Sequence, residues 1–174
     1  MTRDIDFLWS QVETIDFLWI AILFVVAVGP LAFAARKGDS LALAMVLSLL
    51  LVHFVQYFLS VFEHSLFNFY PIDIFSVIPG FIEEPAHLHR LFTSAWLHAD
   101  FVHVLGNVLV IALVGVPLEQ RLGPRRWVAV YFIGFLGGNI AWILSHPNSY
   151  VPAIGASGAA FGLLGAYMAC WPED

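Results

Sequence analysis

Apolar residues in this chain do not alternate with polar ones; they run on in long blocks. Five stretches, at roughly 16–35, 41–62, 101–118, 127–145 and 153–171, stay apolar for about the ~20 residues that an α-helix needs to cross ~30 Å of hydrocarbon. Barrel strands would alternate polar and apolar residues over about half that length. The pattern therefore predicts an all-α, polytopic transmembrane helical bundle of about five helices, with the lipid bilayer as its first partner. Charges between the stretches predict its sidedness. Arg36 and Lys37 follow the first stretch, and Arg121, Arg125 and Arg126 follow the third. The alternate connections, 63–100 and 146–152, carry Arg90 against Glu63, Asp73, Glu83, Glu84 and Asp100. Because basic residues gather on the cytoplasmic side, the N-terminus is expected outside and Asp174 in the cytoplasm.

Composition agrees with the pattern. The chain is 60% hydrophobic and 11% charged, with a mean hydropathy of +0.85, well outside the range of a soluble domain. A formal charge of -6, with only seven scattered Lys and Arg, excludes nucleic acid as a partner. The single cysteine, Cys170, excludes an internal disulfide and any CxxC framework. Asp4, Asp6, Glu13 and Asp16 outweigh Arg3, so the start lacks the basic region of a secretory signal and the first stretch is expected to be retained. The repeated Ile-Asp-Phe-Leu-Trp at 5–9 and 15–19 puts Trp9 and Trp19 at an outer interface without implying a function.

On the predicted topology the third and fifth stretches both start at the outer face, so His98, His103, Asn107 and Ser157 share one side of the membrane. His103 and Asn107 are four residues apart and lie on one helix face. They form either a polar clasp between helices or a pair of donors aimed at one oxygen. Ser157 is framed by Gly155 and Gly158, and Gly158, Gly162 and Gly165 make a smooth stripe for close helix packing. Bare glycine backbone would also let a carbonyl meet the serine N–H and hydroxyl together. His53 and Gln56 share a face of the second stretch and suit either substrate contact or pairing within the bundle. Asn139, beside Gly137 and Gly138, suggests another close helix contact, and Glu119 and Arg121 a structural corner at the cytoplasmic end. Seven histidines raise the question of metal. His87 and His89 are two apart and His98 and His103 five apart, neither the spacing of a paired ligand, and no His-Glu-x-x-His occurs. No metal or cofactor is expected. No span carries a mid-membrane acid, which argues against an ion path, and no paired broken helices suggest a transporter.

The ordered set His89-Arg90, His98-Ala-Asp-Phe-Val-His103-Val-Leu-Gly-Asn107, Glu119-Gln120-Arg121 and Gly155-Ala156-Ser157-Gly158 resembles the rhomboid intramembrane serine proteases. The resemblance spans roughly 41–171, so residues 1–40 read as an N-terminal segment with an extra helix and 41–174 as a rhomboid-like membrane domain. It implies that Ser157 is the nucleophile, that His103 and Asn107 stabilise the oxyanion, and that His98, Gly155, Gly158 and Arg90 support them. Where many members have Trp-Arg, this chain has His89-Arg90. The resemblance also implies that 63–100 is a partly embedded outer hairpin, its Phe67, Phe69, Tyr70, Ile72, Ile74, Phe75, Ile78, Phe81 and Ile82 set among Pro71, Asp73, Pro79 and Gly80. A plain outer loop packed on the bundle is the alternative. Family members pair the serine with a histidine two helices later, and the printed sequence stops at Trp171-Pro172-Glu173-Asp174, so the domain reads as incomplete at its C-terminal end. His146 is the substitute base considered within the chain. The implied activity is cleavage of transmembrane proteins near the outer face. The competing reading is a catalytically dead relative that binds transmembrane clients.

Overall fold

The computed structural model describes the backbone of residues 14–66 and 71–171, and side chains within 17–61 and 71–171. Asp16, Glu63, the first copy of the repeat with Trp9, and Phe67, Phe69 and Tyr70 of the connection fall outside what can be said of side chains. The long elements are α1 (Thr14–Lys37), α2 (Leu41–Leu66), α5 (Phe101–Leu122), α6 (Pro124–Ser145) and α7 (Ser157–Cys170), with short helices α3 (Pro71–Phe75) and α4 (Arg90–Thr93) in the connection. Four of them contain stretches long and apolar enough to cross a membrane: Phe17–Lys37, Leu41–Val61, Phe101–Leu122 and Pro124–Ser145. Phe24, Phe33, Phe54, Val102, Leu113, Ile133 and Leu144 stand 63–77% exposed on their outer surfaces, the pattern of a bundle solvated by lipid.

The fifth element departs from the predicted span. Residues 153–156 lie outside any helix, and Ala153 pairs antiparallel with Val77 through bonds of 2.7 and 3.0 Å. Helix α7 begins only at Ser157 and is 14 residues long. The cause is local: Pro152 disfavours a helical residue before it, and Gly155 takes a φ of +107°, which no helix contains. The hydrophobic run concealed this break because Val151, Ala153 and Ile154 are as apolar as the helix that follows.

Helix α5 is α-helical over Phe101–Val110, widens into a π turn over Ile111–Gly115, and returns to α over Val116–Leu122. Pro117 explains the widening, since its ring lacks an N–H and collides with the carbonyl four residues earlier. The core lies where α2, α5, α6 and α7 meet, around Met45, Leu49, Val104, Val108, Ile111, Trp127, Tyr131, Phe135 and Leu163. At the α6–α7 crossing the backbones touch. A Cβ on Gly134 would lie 2.8 Å from Gly158 O, and one on Gly162 would lie 2.8 Å from Gly134 Cα. Gly158 and Gly162 thus form the close contact read from the sequence, with Gly134 and Gly138 opposite them. Gly165 has open space where its side chain would be.

Two bonded corners fix the ends of the bundle. At one end Glu119 accepts from Ser40 Oγ (2.6 Å), Leu41 N (2.8 Å) and Ala42 N (3.0 Å), capping α2 from the far end of α5. Arg121 does not pair with it but lies 4.5 Å over the Trp171 ring. Arg36, Lys37, Arg121, Arg125 and Arg126 therefore share this end, as the charge pattern predicted. At the other end the 71–100 connection joins the 146–156 connection through Val77–Ala153 and through Gly80 N donating to Ser149 O (3.0 Å).

Candidate active site

Ser157 is the first residue of α7, so its N–H has no intrahelical acceptor and lies at the positive end of the helix dipole. No described hydrogen bond engages its hydroxyl. The side chain is half-buried and faces a cavity of about 610 Å³ that His103, Phe135, Gly138, Asn139, Trp142 and Phe161 also line. Three elements converge there. Asp100 caps α5 by accepting from the His103 N–H (2.8 Å), which starts that helix one turn before His103 and turns the His103–Asn107 face inward. The connection supplies Ala99 and Ile72, and the 151–155 segment closes the side.

Gly155 is where the serine turn and α5 touch. A Cβ there would sit 2.7 Å from His103 Nε2 and 3.5 Å from Asn107 Nδ2, and the φ of +107° already excludes most side chains. Its N–H donates to Ser94 O (2.9 Å), anchoring the turn to the connection. Gly158 works on the opposite flank, its missing Cβ leaving room for Gly134 O and Phe135 Cα.

His98 is fully buried and ties the pieces together. Its Nε2 accepts from Asn107 Nδ2 (2.9 Å) and from the Ala156 N–H (3.4 Å), while Nδ1 lies 3.2 Å from Trp96 O. Two donors at Nε2 and an acceptor at Nδ1 define the neutral Nδ1–H tautomer. Burial, with His103 adding to it, lowers the His98 pKa to about 4, so the ring stays neutral above that pH. Asn107 commits one N–H to His98 and keeps the second of its two donors. The His103 ring packs edge-on against His98 at 5.0 Å.

The other sequence candidates take different places. Arg90 is fully buried in the connection, donating from Nε to His87 Nδ1 (2.8 Å) and from Nη1 to Asp73 O (2.7 Å) and Ser76 O (3.0 Å). Burial lowers its pKa to about 10, with Asp73 opposing the shift. None of these bonds reaches Ser157; Arg90 acts as the strut of the loop. Beside it the His89 ring spans Ala86 O (2.8 Å) and Ile74 O (3.0 Å). His146 stacks on Trp142 at 3.9 Å, its Nδ1 engaged with Ser145 Oγ (2.9 Å) and Trp142 O (3.3 Å). Nothing turns that ring toward Ser157. His53 stands edge-on to His98 at 6.4 Å, and Gln56 holds the His98 backbone. Asn139 reaches short helix α4 of the connection and the turn after it, donating to Leu91 O (3.1 Å) and Ser94 Oγ (3.4 Å). Sequence reasoning missed Ser94, Phe135 and Trp142 at this site; only the positions of neighbouring helices reveal them. Among the described residues no group of three or more His, Cys, Asp and Glu could hold a metal ion.

The family model described as "Rhomboid domain" matches residues 85–174, about half of the chain. RHOMBOID-like protein 5 of Arabidopsis thaliana is 40% identical over 79 residues, 45% of this chain and 26% of its own length. YdcA of Bacillus subtilis (strain 168), named as a candidate rhomboid protease, is 44% identical over 79 residues, 45% of this chain and 39% of its own. "Inactive RHOMBOID-like protein 8" of Arabidopsis thaliana is 33% identical over 93 residues, 53% of this chain and 26% of its own. The chain thus spans well under half the length of these curated relatives. No solved structure matches it.

Proposed function

The chain belongs to the rhomboid family, and we propose that it forms the nucleophile and oxyanion half of an intramembrane serine protease. Ser157 Oγ attacks the scissile carbonyl, and the charge that develops on its oxygen is met by the Ser157 N–H, His103 and the free N–H of Asn107. The observation that carries this reading is the junction at Gly155, where the serine turn lies flush against His103 and Asn107 with no room for a side chain. A serine hydroxyl needs a base within hydrogen-bond reach. His98 is committed by its acceptor role and His146 by its stack on Trp142, and the family resemblance implies a further histidine as that base. Positive charge on the Arg36 and Arg126 end supports a cytoplasmic placement of that end, with Ser157 in the outer half of the membrane. The substrates are then transmembrane proteins whose helices unwind near the outer face, where exposed backbone can enter the cavity. In a prokaryote the membrane is the plasma membrane.

A second reading rests on one specific observation, that no described base reaches Ser157. It makes the protein a catalytically dead relative that binds transmembrane clients, and one similar protein carries the word inactive in its name. Fluorophosphonate labelling in membranes separates the two. The printed chain, a form extended with whatever its gene encodes after Asp174, and Ser157→Ala of each are compared. Labelling that disappears with Ser157→Ala supports the protease, in the extended form if the base lies there. Absence of labelling in every folded form supports the client-binding protein.

A further inference from the structure

Gln56 belongs to α2, which contributes no residue to the cavity at Ser157. We propose that Gln56 is a positioning residue for the oxyanion site, acting through His98; the proposal rests on the reading of Ser157 as nucleophile. Gln56 is 4% exposed, and its carboxamide grips one residue from both sides. Nε2 donates to His98 O (2.7 Å), and Oε1 accepts from the His98 N–H (3.2 Å).

That pairing is what an adjacent strand would give an extended residue, here supplied by a side chain across 42 positions of sequence. His98 needs it. It lies between the Ser94–Trp96 turn and the start of α5, where neither helix nor strand pairs its backbone. Buried N–H and C=O groups left without partners would destabilise this segment. Gln56 meets both needs at once, and neither Leu nor Glu could: Leu offers neither group, and ionised Glu offers only acceptors.

The imidazole carries the placement onward. Its ring is rigid and bonded at both nitrogens, so a displacement of the His98 backbone moves Nε2 with little slack. Nε2 in turn receives Asn107 Nδ2 and the Ala156 N–H. Because a carboxamide is planar, fixing one Asn107 N–H fixes the direction of the other, the one left for a substrate oxygen. Gln56 thereby aims an amide that it does not touch, and it keeps the Asn107 helix in step with the residue just before Ser157.

The test uses the full gene product in bicelles, with Gln56→Leu and Gln56→Glu. Two quantities are read: the concentration dependence of fluorophosphonate labelling, and the Asn107 side-chain amide resonance in a ¹⁵N-labelled sample. Gln56→Leu is expected to slow the maximal labelling rate about 30- to 100-fold with the half-saturating concentration changed less than about 3-fold, as misplacement of a catalytic donor requires. The Asn107 resonance should move in the same sample. Gln56→Glu keeps the acceptor for the His98 N–H and should fall between the two. A folded Gln56→Leu with unchanged maximal rate and unchanged Asn107 resonance overturns the proposal. Should Gln56→Leu not fold, Gln56→Glu is held to the same two readouts. If the unsubstituted protein does not label, the nucleophile reading fails, and the Asn107 resonance alone decides whether Gln56 aims the amide.

Discussion

At the residue scale the site depends on one absent atom. Gly155 combines a positive φ with a position where a methyl group would lie 2.7 Å from the His103 ring. Either feature alone could be relieved by a small shift; together they push the serine turn away from the His103–Asn107 face of α5. Gly155→Ala is expected to leave the bundle folded and lower Ser157 labelling by about 10²- to 10³-fold, the usual loss when an oxyanion donor is displaced. Labelling within about threefold of the parent would show that His103 is not a donor at this position. His98 makes a second prediction, in pH. Its folded pKa of about 4 lies below the ordinary imidazole value of about 6.5, so the unfolded chain binds the proton more readily. The stability from the neutral ring is therefore full above about pH 6.5, declines between about 6.5 and 4, and is constant below that. Melting temperatures in bicelles should fall through this window, and His98→Gln, which cannot be protonated there, should start lower and show a flatter profile. Parallel profiles for the two proteins would mean that His98 is already charged in the folded state.

At the element scale, the proposed chemistry depends on where α7 starts and what holds it there. A span running through from 153 would have spent the Ser157 N–H on an intrahelical bond. The break at Pro152 and Gly155 starts the helix at Ser157 and leaves that donor free. The glycine crossing holds the start against α6. Gly162→Val puts branched carbons where the Gly134 backbone lies 2.8 Å away, a contact that no rotamer relieves. It should destabilise the bundle by about 1–3 kcal/mol, as overpacking does elsewhere, whereas Gly165→Val, into open space, should be near neutral. Equal melting temperatures for both would place the crossing elsewhere. At the far end, Glu119→Ala leaves the Ser40 hydroxyl and two backbone donors of α2 without their carboxylate. A loss of about 2–3 kcal/mol is expected, with Glu119→Gln milder because one acceptor remains. Denaturation in mixed micelles reads all four variants. Much of this architecture was legible in the sequence: uninterrupted apolar runs announced the four long helices, and the Arg-rich turns announced which ends lie together. Hydrophobicity could not show the helix start at Ser157, because the non-helical residues before it include Val151, Ala153 and Ile154, as apolar as the helix itself. Spacing put His103 and Asn107 on one face, but Gln56 and Ser94 act on residues 42 and 61 positions away, contacts that no local pattern encodes.

At the scale of the whole molecule, the first helix is bonded into the domain and not merely packed beside it. Ser48 Oγ donates to Ala27 O (2.6 Å) and accepts from Trp96 Nε1 (2.8 Å), and Trp96 O receives the Nδ1–H of His98. A line of hydrogen bonds thus runs from α1 through α2 and the connection to the residue that orients Asn107. The same bonds require α1, α2 and α5 to keep one relative placement, and so tie the sidedness of the whole bundle together. All five basic residues of the Arg36–Lys37 and Arg121–Arg126 turns lie at the Glu119 corner, and the 71–100 and 146–156 connections meet at the opposite end. The positive end should be cytoplasmic. Cys170 is the chain's one cysteine, so Cys170→Ala provides a clean background for single-cysteine probes. Asp39→Cys and Arg125→Cys, exposed at the basic end, should react with an impermeant maleimide only after the cells are opened. Glu83→Cys and Asn148→Cys, exposed at the other, should react in intact cells. The reverse pattern would put Ser157 in the inner half of the membrane and substrate cleavage on the cytoplasmic side. Labelling of both pairs from outside would break the single orientation that the Glu119 corner and the Val77–Ala153 pairing jointly demand.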